Sequence, residues 1–454
     1  MVDACVQEVS IRECQMANHP TDKVRQLQRK LYLSAKKSKT RRFHALYERI
    51  HDWDILKESW KRVRTNHGTH GIDGQTIEEI ETQGVESFLR SIQGYLKEGR
   101  YHPTPVRRVE IPKSNGTKRP LGIPTIRDRI VQTAAKIVLE PVFEADFCEC
   151  SFGYRPKRAA VDAMEKIRQL ANQGYNQVLD ADIENYFGSI DHEKLLEAVS
   201  QRVSDRKMMK LIRKWLKAGV LLEGSYTPSL LGTPQGGVVS PLLSNIYLHR
   251  LDAEWEERYK TLGVLVRYCD DFVVLTKTQR ALKESQARIE QILKTLSLKL
   301  HPKKTRQINL AMGKEGCNFL GWYARKCPSA RFPGKYFLNR WPSKESMKRI
   351  RAKIHGIIHY KQWVKNIREL ALKLNPVLRG WVNYFRTGNS RKKFQDISKY
   401  LWERLVRFEN RRKGQRRPLA AKGGYDTAWF KSLGFFDLVQ PGLILYPTAK
   451  TSHA

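Results

Sequence analysis

The sequence predicts an α+β protein, with a domain built around an antiparallel sheet followed by a basic helical domain. Three observations predict it. Between about residues 175 and 330, short apolar runs rich in Val, Ile and Leu alternate with stretches of helical period. Within that region "VLVRYCDDFVVLTKT", residues 264–278, reads as two buried strands joined by a short turn. After about residue 335 the pattern becomes helical, and residues 331–420 hold 25 Lys and Arg against 5 Asp and Glu.

A chain of 454 residues has room for several domains, and 41% hydrophobic content with 10 Trp, 18 Tyr and 16 Phe is that of a folded protein. The charge is unusual: 83 Lys and Arg against 46 Asp and Glu leave a net +37. A polyanion relieves such self-repulsion by screening and counterion release, so nucleic acid is the expected partner. The N-terminal stretch "MVDACVQEVSIRECQMAN" has no apolar core of a signal peptide, and no later run has transmembrane length. The expectation is a cytosolic protein of bacterial type with no membrane partner. Seven cysteines, at 5, 14, 148, 150, 269, 317 and 327, form no paired zinc-ligand spacing and read as reduced thiols. Cys148 and Cys150 in "FCECSFGYRP" read as structural.

The elements follow in order. Leu27, Leu31, Leu46, Ile50 and Leu56 recur at helical spacing in a basic N-terminal extension, residues 1–65. "HGTHGIDGQT" breaks that pattern with three glycines. Residues 78–98 read as one amphipathic helix. "VRRVEIPKSNGTKRPLGIPT" reads as two strands around the turn Ser114-Asn115-Gly116. "RDRIVQTAAKIVLEPVFEADF" is a helix with Ile130, Ala134, Ile137 and Val138 on one face. "NQVLDADI" is a strand, helices follow at 192–201 and 205–217, and another spans 279–296 after the hairpin. Further on, Trp363, Ile367, Leu370 and Leu374 keep helical spacing. "NPVLRGWVNYFR" then restarts a helix with Asn375 as its cap and Pro376 at its first position. Four regions result: 1–65, 66–330, 331–414 and a short tail, 415–454.

Asp270 and Asp271 carry the chemistry. Acidic residues are common in hairpin turns, but the tight turns favour a following glycine, and none is present here. Asp182 at the end of the apolar strand "NQVLDADI" supplies a third acid. Alone it reads as a cap or a solvated loop residue. Three carboxylates at the ends of two strands of one sheet suit two Mg²⁺ ions, which activate a 3′-hydroxyl and stabilise leaving pyrophosphate. "LGTPQGGVVSPLLSNIYLHRL" places Pro-Gln-Gly-Gly before an apolar helix, where glycines admit close approach of a flat ligand. A plain loop leading into a helix is the simpler reading of that stretch alone.

Together these segments resemble the group II intron-encoded reverse transcriptase and maturase family, in order from about residue 25 to 415. "HGIDGQT", "IPKSNGTKRPLGIPTIRDRIVQ" and "SFGYRPKRAAVDA" are similar to its N-terminal and fingers blocks. "DADIENYFGSIDH", "GTPQGGVVSPLLSNIYL" and "RYCDDFVVLT" are similar to its three palm motifs, and "LKLHPKKTR" and "NFLGWYARK" to the last two. "NPVLRGWVNYFR" resembles its thumb and maturase helices. Each motif alone is weak to moderate in specificity; the eight that precede the thumb, in register, are strong.

The resemblance implies a right-hand polymerase, fingers and palm followed by an α-helical thumb and maturase domain. It implies RNA-directed DNA synthesis from an RNA template and a DNA primer with dNTPs and two Mg²⁺. It further implies binding of group II intron RNA and action on a DNA target. By motif position Asp182, Asp270 and Asp271 are the metal ligands, with the Ile183 carbonyl beside them. Lys304, with Lys303 as rival, is the lysine expected to protonate pyrophosphate. Phe187 is the expected gate against a ribose 2′-hydroxyl. Lys113, Arg119 and Gln235 are the expected dNTP contacts. Arg379, Arg386, Arg391, Lys392, Lys393, Arg411 and Arg412 are the expected RNA contacts. Gly188 and Cys269 depart from the usual Asp and Ala. About 40 residues follow Gly414, with His453 their only histidine, so no H-N-H endonuclease is expected there. The rival readings are a splicing-only maturase and a reverse transcriptase domesticated in defence or CRISPR adaptation.

Overall fold

The computed structural model describes residues 20–112, 118–222, 225–227, 232, 236–358, 367–412, 427–440 and 442–443. In chain order it has helices α1 Pro20–Lys37, α2 Tyr47–Ile50, α3 Trp53–Thr65, α4 Ile77–Gln83 and α5 Val85–Lys97, then strands β1 Val106–Pro112 and β2 Lys118–Ile123. Helices α6 Ile126–Glu144 and α7 Ala160–Asn172 precede β3 Gln177–Asp182. Next come α8 Tyr186–Ser189, α9 His192–Ser200, α10 Arg206–Lys217, β4 Val220–Leu222, β5 Ser225–Thr227 and α11 Ser240–Glu254, which continues as a π-helical turn. The hairpin β6 Val264–Tyr268 and β7 Asp271–Thr276 leads into α12 Gln279–Thr295. Strands β8 Arg306–Asn309, β9 Gly316–Phe319, β10 Trp322–Pro328 and β11 Tyr336–Pro342 follow. Helices α13 Lys344–Ile357, α14 Ile367–Phe385, α15 Arg391–Arg412 and α16 Thr427–Ser432 close the order.

The chain divides into two compact units, residues 1–158, 181–272 and 283–305 in one, and 159–180, 273–282 and 306–454 in the other. The first is organised around α6. Its apolar residues recur on every side, and eleven of them, Ile130, Ala134, Val138 and Val142 among them, are buried, as expected of a helix enclosed by others. Thr125 caps it by accepting from the Asp128 amide. Asp205 caps α10 and also accepts from the Leu46 and Tyr47 amides at 2.8 and 2.7 Å, so one carboxylate ties α2 to α10. The hairpin β1–β2 is antiparallel, and β4 joins β1 in parallel, giving a sheet of order β2-β1-β4-β5.

The second unit contains the antiparallel sheet β11-β10-β9 and helices α13 to α16. Trp322, fully buried, packs its ring on Tyr384 and Phe385 of α14, and the Tyr384 hydroxyl donates to the Leu320 carbonyl at 2.8 Å. The aromatics of "GWVNYFR" are therefore largely core. Strand pairing runs on to Pro342, with Trp322 opposite it. A boundary at 330 thus falls between the two strands of one hairpin, and helix begins only at Lys344.

Two local expectations need correction. The 78–98 stretch is two helices, because Gly84 takes a φ of 105° that only glycine adopts without strain. Likewise α14 does not restart at Asn375: it runs through with Pro376 inside. The Asn375 side chain instead donates to the Gly434 carbonyl and accepts from the Phe436 amide, tying the C-terminal segment to the helix.

Candidate active site

The third sheet has order β6-β7-β3-β8 and carries the acids. The Thr276 hydroxyl at the end of β7 reaches the Gln177 carbonyl at the start of β3, 3.5 Å away. The two strands therefore run antiparallel. Asp182, the last residue of β3, and Asp271, the first of β7, therefore lie toward the same end of the sheet. Asp270 stands in the turn just before Asp271. Asp182 and Asp270 are half-buried and Asp271 is exposed.

Asp182 is ion-paired with the ammonium of Lys304. The pair is held by main chain: the His301 amide donates to the Asp182 carbonyl at 2.8 Å, Ile183 bridges Leu300, and the Lys304 amide donates to the His301 carbonyl. It is Lys304, not its neighbour Lys303, that this turn aims at the acid. Among the described residues no three Asp, Glu, His or Cys side chains stand close enough to hold a metal ion as placed. The donor set itself, hard carboxylate oxygens at one sheet edge with a cation already beside one of them, suits Mg²⁺. Asp182, Asp270, Asp271 and the Ile183 carbonyl are the residues that would hold it.

The turn that carries Asp270 is braced from beneath. Cys269 adopts a left-handed φ of 62° and is buried, its sulfur 3.7 Å from the Ser244 hydroxyl. Burial and the adjacent Asp270 carboxylate push its thiol up to about 12, so it stays protonated and packs as a small apolar group. Arg267, fully buried, donates to the Cys269 carbonyl at 2.8 Å, to Asn245 Oδ1 at 3.1 Å and to Ser151 Oγ at 2.8 Å. Both carboxylate oxygens of buried Asp252 pair with the same guanidinium. Burial alone would lower the Arg267 pKa, but Asp252 more than offsets this and holds it charged. The sequence reading missed Arg267 and Asp252. For Arg267 the available signal was a lone charge inside the otherwise apolar strand "VLVRY"; Asp252 stands among other polar residues in "SNIYLHRLDAE" and carried none.

Phe187 is buried, with its ring 5.2 Å from that of Tyr186 in an edge-on arrangement. At Gly188 a Cβ would lie 2.5 Å from the Asn185 side-chain nitrogen, so a larger residue there requires that side chain to move. Gly232 in turn packs its backbone on the Phe187 carbonyl, where a Cβ would come within 2.6 Å. That contact ties the "LGTPQGG" loop to the segment after Asp182. Just past the glycines, Gln132 Oε1 accepts from the Val238 amide at 2.8 Å, a second anchor that the sequence reading missed.

Of the expected dNTP contacts, Lys113 and Gln235 lie outside the described residues, and Arg119 belongs to β2. Gly236, next to Gln235, packs against Gly122 of the same strand. The expected RNA-contacting residues lie on α14 and α15 and between them. Arg379, Arg391, Lys392, Arg411 and Arg412 are exposed, while Arg386 and Lys393 are half-buried. Lys393 pairs with Asp396, Arg412 with Glu409, and Arg379 lies over the Phe436 ring. No helix among the described residues is long and apolar enough to cross a membrane.

Two family profiles match the chain in sequence order. One, described as reverse transcriptase (RNA-dependent DNA polymerase), covers residues 111–324, and the other, group II intron maturase-specific domain, covers residues 347–422. The chain is 34% identical over 337 residues to protein YkfC of Escherichia coli, covering 66% of this chain and 87% of that one. It is 39% identical over 213 residues to the group II intron-encoded protein LtrA of Lactococcus lactis, which is 46% of this chain but 35% of LtrA. A solved Cas6-RT-Cas1–Cas2 complex shares 25% identity over 55% of this chain and 42% of that one, with a TM-score of 0.34. With polymerase and maturase profiles in one chain, the protein belongs to the group II intron-encoded reverse transcriptase and maturase family.

Proposed function

We propose that the protein is the RNA-directed DNA polymerase of a mobile group II intron and also the maturase that binds that intron's RNA to promote splicing and retrohoming. The observation that carries this reading is the acidic end of the sheet, Asp182 closing β3, Asp271 opening the adjacent β7, and Asp270 in the adjoining turn. The acids lie within residues matched by the polymerase profile, and a maturase-specific domain follows in the same chain. Its substrates are dNTPs, an RNA template and a DNA primer; its further partners are intron RNA and a DNA target.

Two Mg²⁺ ions bound by the three acids would lower the pKa of the primer hydroxyl and neutralise charge on the departing pyrophosphate. The chain's own groups do the rest. Arg267 and Asp252 hold the turn that presents Asp270 and Asp271. Lys304 balances the charge of Asp182 until metal arrives, and then stands where its ammonium can donate a proton to pyrophosphate. Phe187 closes the floor against a 2′-hydroxyl, and Lys113, Arg119 and Gln235 contact the triphosphate and base. The exposed bases of α14 and α15 grip the RNA backbone.

Extension of a DNA primer on an RNA template in Mg²⁺, lost in Asp270→Ala, tests the polymerase half. A wild-type chain that supports splicing yet extends no primer would leave the splicing-only maturase as the answer. The retained maturase domain favours an intron role over a domesticated one.

A further inference from the structure

The loop "FCECSFG" lies behind the turn that presents Asp270, and its two thiols have a use that polymerase chemistry does not absorb. Cys148 is half-buried on a cleft of about 740 Å³ that is also lined by Asp146, Arg202, Tyr247, His249 and Glu254. Its sulfur lies 4.0 Å from His249 Nδ1, and the His249 ring is fixed edge-on against Phe147. The neighbouring buried Cys150 thiol favours the Cys148 thiolate; burial opposes this, and His249 assists. Burial alone would favour a neutral His249, but the Cys148 sulfur, Asp252 and Asp146 outweigh it and favour the imidazolium. The Cys148 carbonyl is held by Arg155.

The same loop is bonded to the strand that carries Arg267. The Arg267 amide donates to the Cys150 carbonyl, and the Phe152 amide donates to the Arg267 carbonyl, each at 2.8 Å. A Cβ on Gly153 would come within 2.5 Å of the Cys269 amide nitrogen, so the loop touches the turn itself.

We propose that Cys148, with His249 as counterion and Cys150 as resolving thiol, is a peroxide-reactive modification site whose oxidation displaces the turn bearing Asp270. The Cys148 thiolate attacks one peroxide oxygen. The O–O bond breaks, hydroxide leaves, and the sulfur is oxidised to sulfenic acid as the peroxide is reduced. The Cys150 sulfur then attacks that sulfur: an S–S bond forms, the S–OH bond breaks, and the thiol proton leaves with the hydroxide as water. A disulfide between residues two apart draws the sulfurs to about 2.05 Å. The loop must tighten, and its bonds to Arg267 are the first to feel it. The thiol chemistry stands by itself; its effect on turnover rests on the polymerase reading.

The full chain is treated with iodoacetamide at pH 7, and its cysteines are mapped by mass spectrometry. Alkylation of Cys148 is expected to be at least about ten-fold faster than that of Cys327, which is also partly exposed. His249→Gln should remove most of that advantage. Peroxide should join Cys148 to Cys150, lower primer extension, and be reversed by dithiothreitol; Cys148→Ser and Cys150→Ser should each block the disulfide. Equal alkylation of Cys148 and Cys327 would overturn the nucleophile, and sulfinic acid without a disulfide would overturn the role of Cys150. Full extension by protein quantitatively oxidised at this pair would overturn the coupling. Failure of untreated protein to extend primers would sink the polymerase reading, while the mass data would still decide the thiol chemistry.

Discussion

Replacing Arg267 by Met keeps most of the side-chain volume and removes the charge. Five hydrogen bonds go with it, two to Asp252 and one each to Asn245, Ser151 and the Cys269 carbonyl. The Asp252 carboxylate, fully buried in the folded chain, is left without its counterion. Breaking a buried pair in this way costs about 3–5 kcal/mol. Each neutral bond lost adds about 1 kcal/mol, though not additively. The single variant should therefore lose about 4 kcal/mol or more in urea unfolding. Adding Asp252→Leu removes the orphaned charge, and replacing both ions by apolar groups is often close to neutral. The double variant should thus recover most of the stability. Primer extension should nevertheless stay low, because nothing then holds the Cys269 carbonyl and the turn before Asp270. Full extension by a stable double variant, or a loss below about 1 kcal/mol in Arg267→Met, would refute the assignment of Arg267 as the residue that positions the turn.

Three further outcomes are expected. Phe187→Ala should raise ATP incorporation relative to dATP in a competition assay, and should cost about 3–5 kcal/mol because the ring is buried; unchanged discrimination removes the gate. Burial raises the pKa of Glu140 above its usual range despite Lys136. A raised carboxyl costs stability once pH passes above the unfolded value, and the cost is complete above the folded one. Glu140→Gln should thus stabilise the protein at pH 7 and lose its advantage as pH falls below the ordinary glutamate range; an advantage unchanged at low pH contradicts this. Intron RNA affinity should fall steeply with salt, and Arg391→Ala with Lys392→Ala should shallow the slope by roughly 1–2 in log–log terms. A flat dependence in the parent protein would give the +37 charge another purpose.

The acids were legible because strand period is local: an apolar run ending in Asp182, and a hairpin turn holding Asp270 and Asp271, can be read residue by residue. The same holds for α9 and α10, expected at 192–201 and 205–217 and found at His192–Ser200 and Arg206–Lys217. Asn375 looked like a cap for the same local reason, and was wrong because its amide found Gly434 and Phe436 about sixty residues away. Gly188 and Cys269 looked like departures of uncertain effect. The first sits against the Asn185 side chain, and the second in a buried left-handed turn closing on Ser244. None of these partners is visible to a reading that scores neighbours along the chain.

The sequence by itself determined that this is a basic α+β nucleic-acid enzyme of the intron-encoded family, because charge, periodicity and motif order are properties of the chain. Only tertiary structure decided that Lys304 faces Asp182, that Arg267 and Asp252 hold the turn, and that the Cys148 loop lies against it. Asp182 and Lys304 are 122 positions apart, and Ser151 and Arg267 are 116 apart. Such pairs exist only when sheet register brings their strands and loops together, and for buried Arg267 and Ser151 no solvent is then left to take the partner's place.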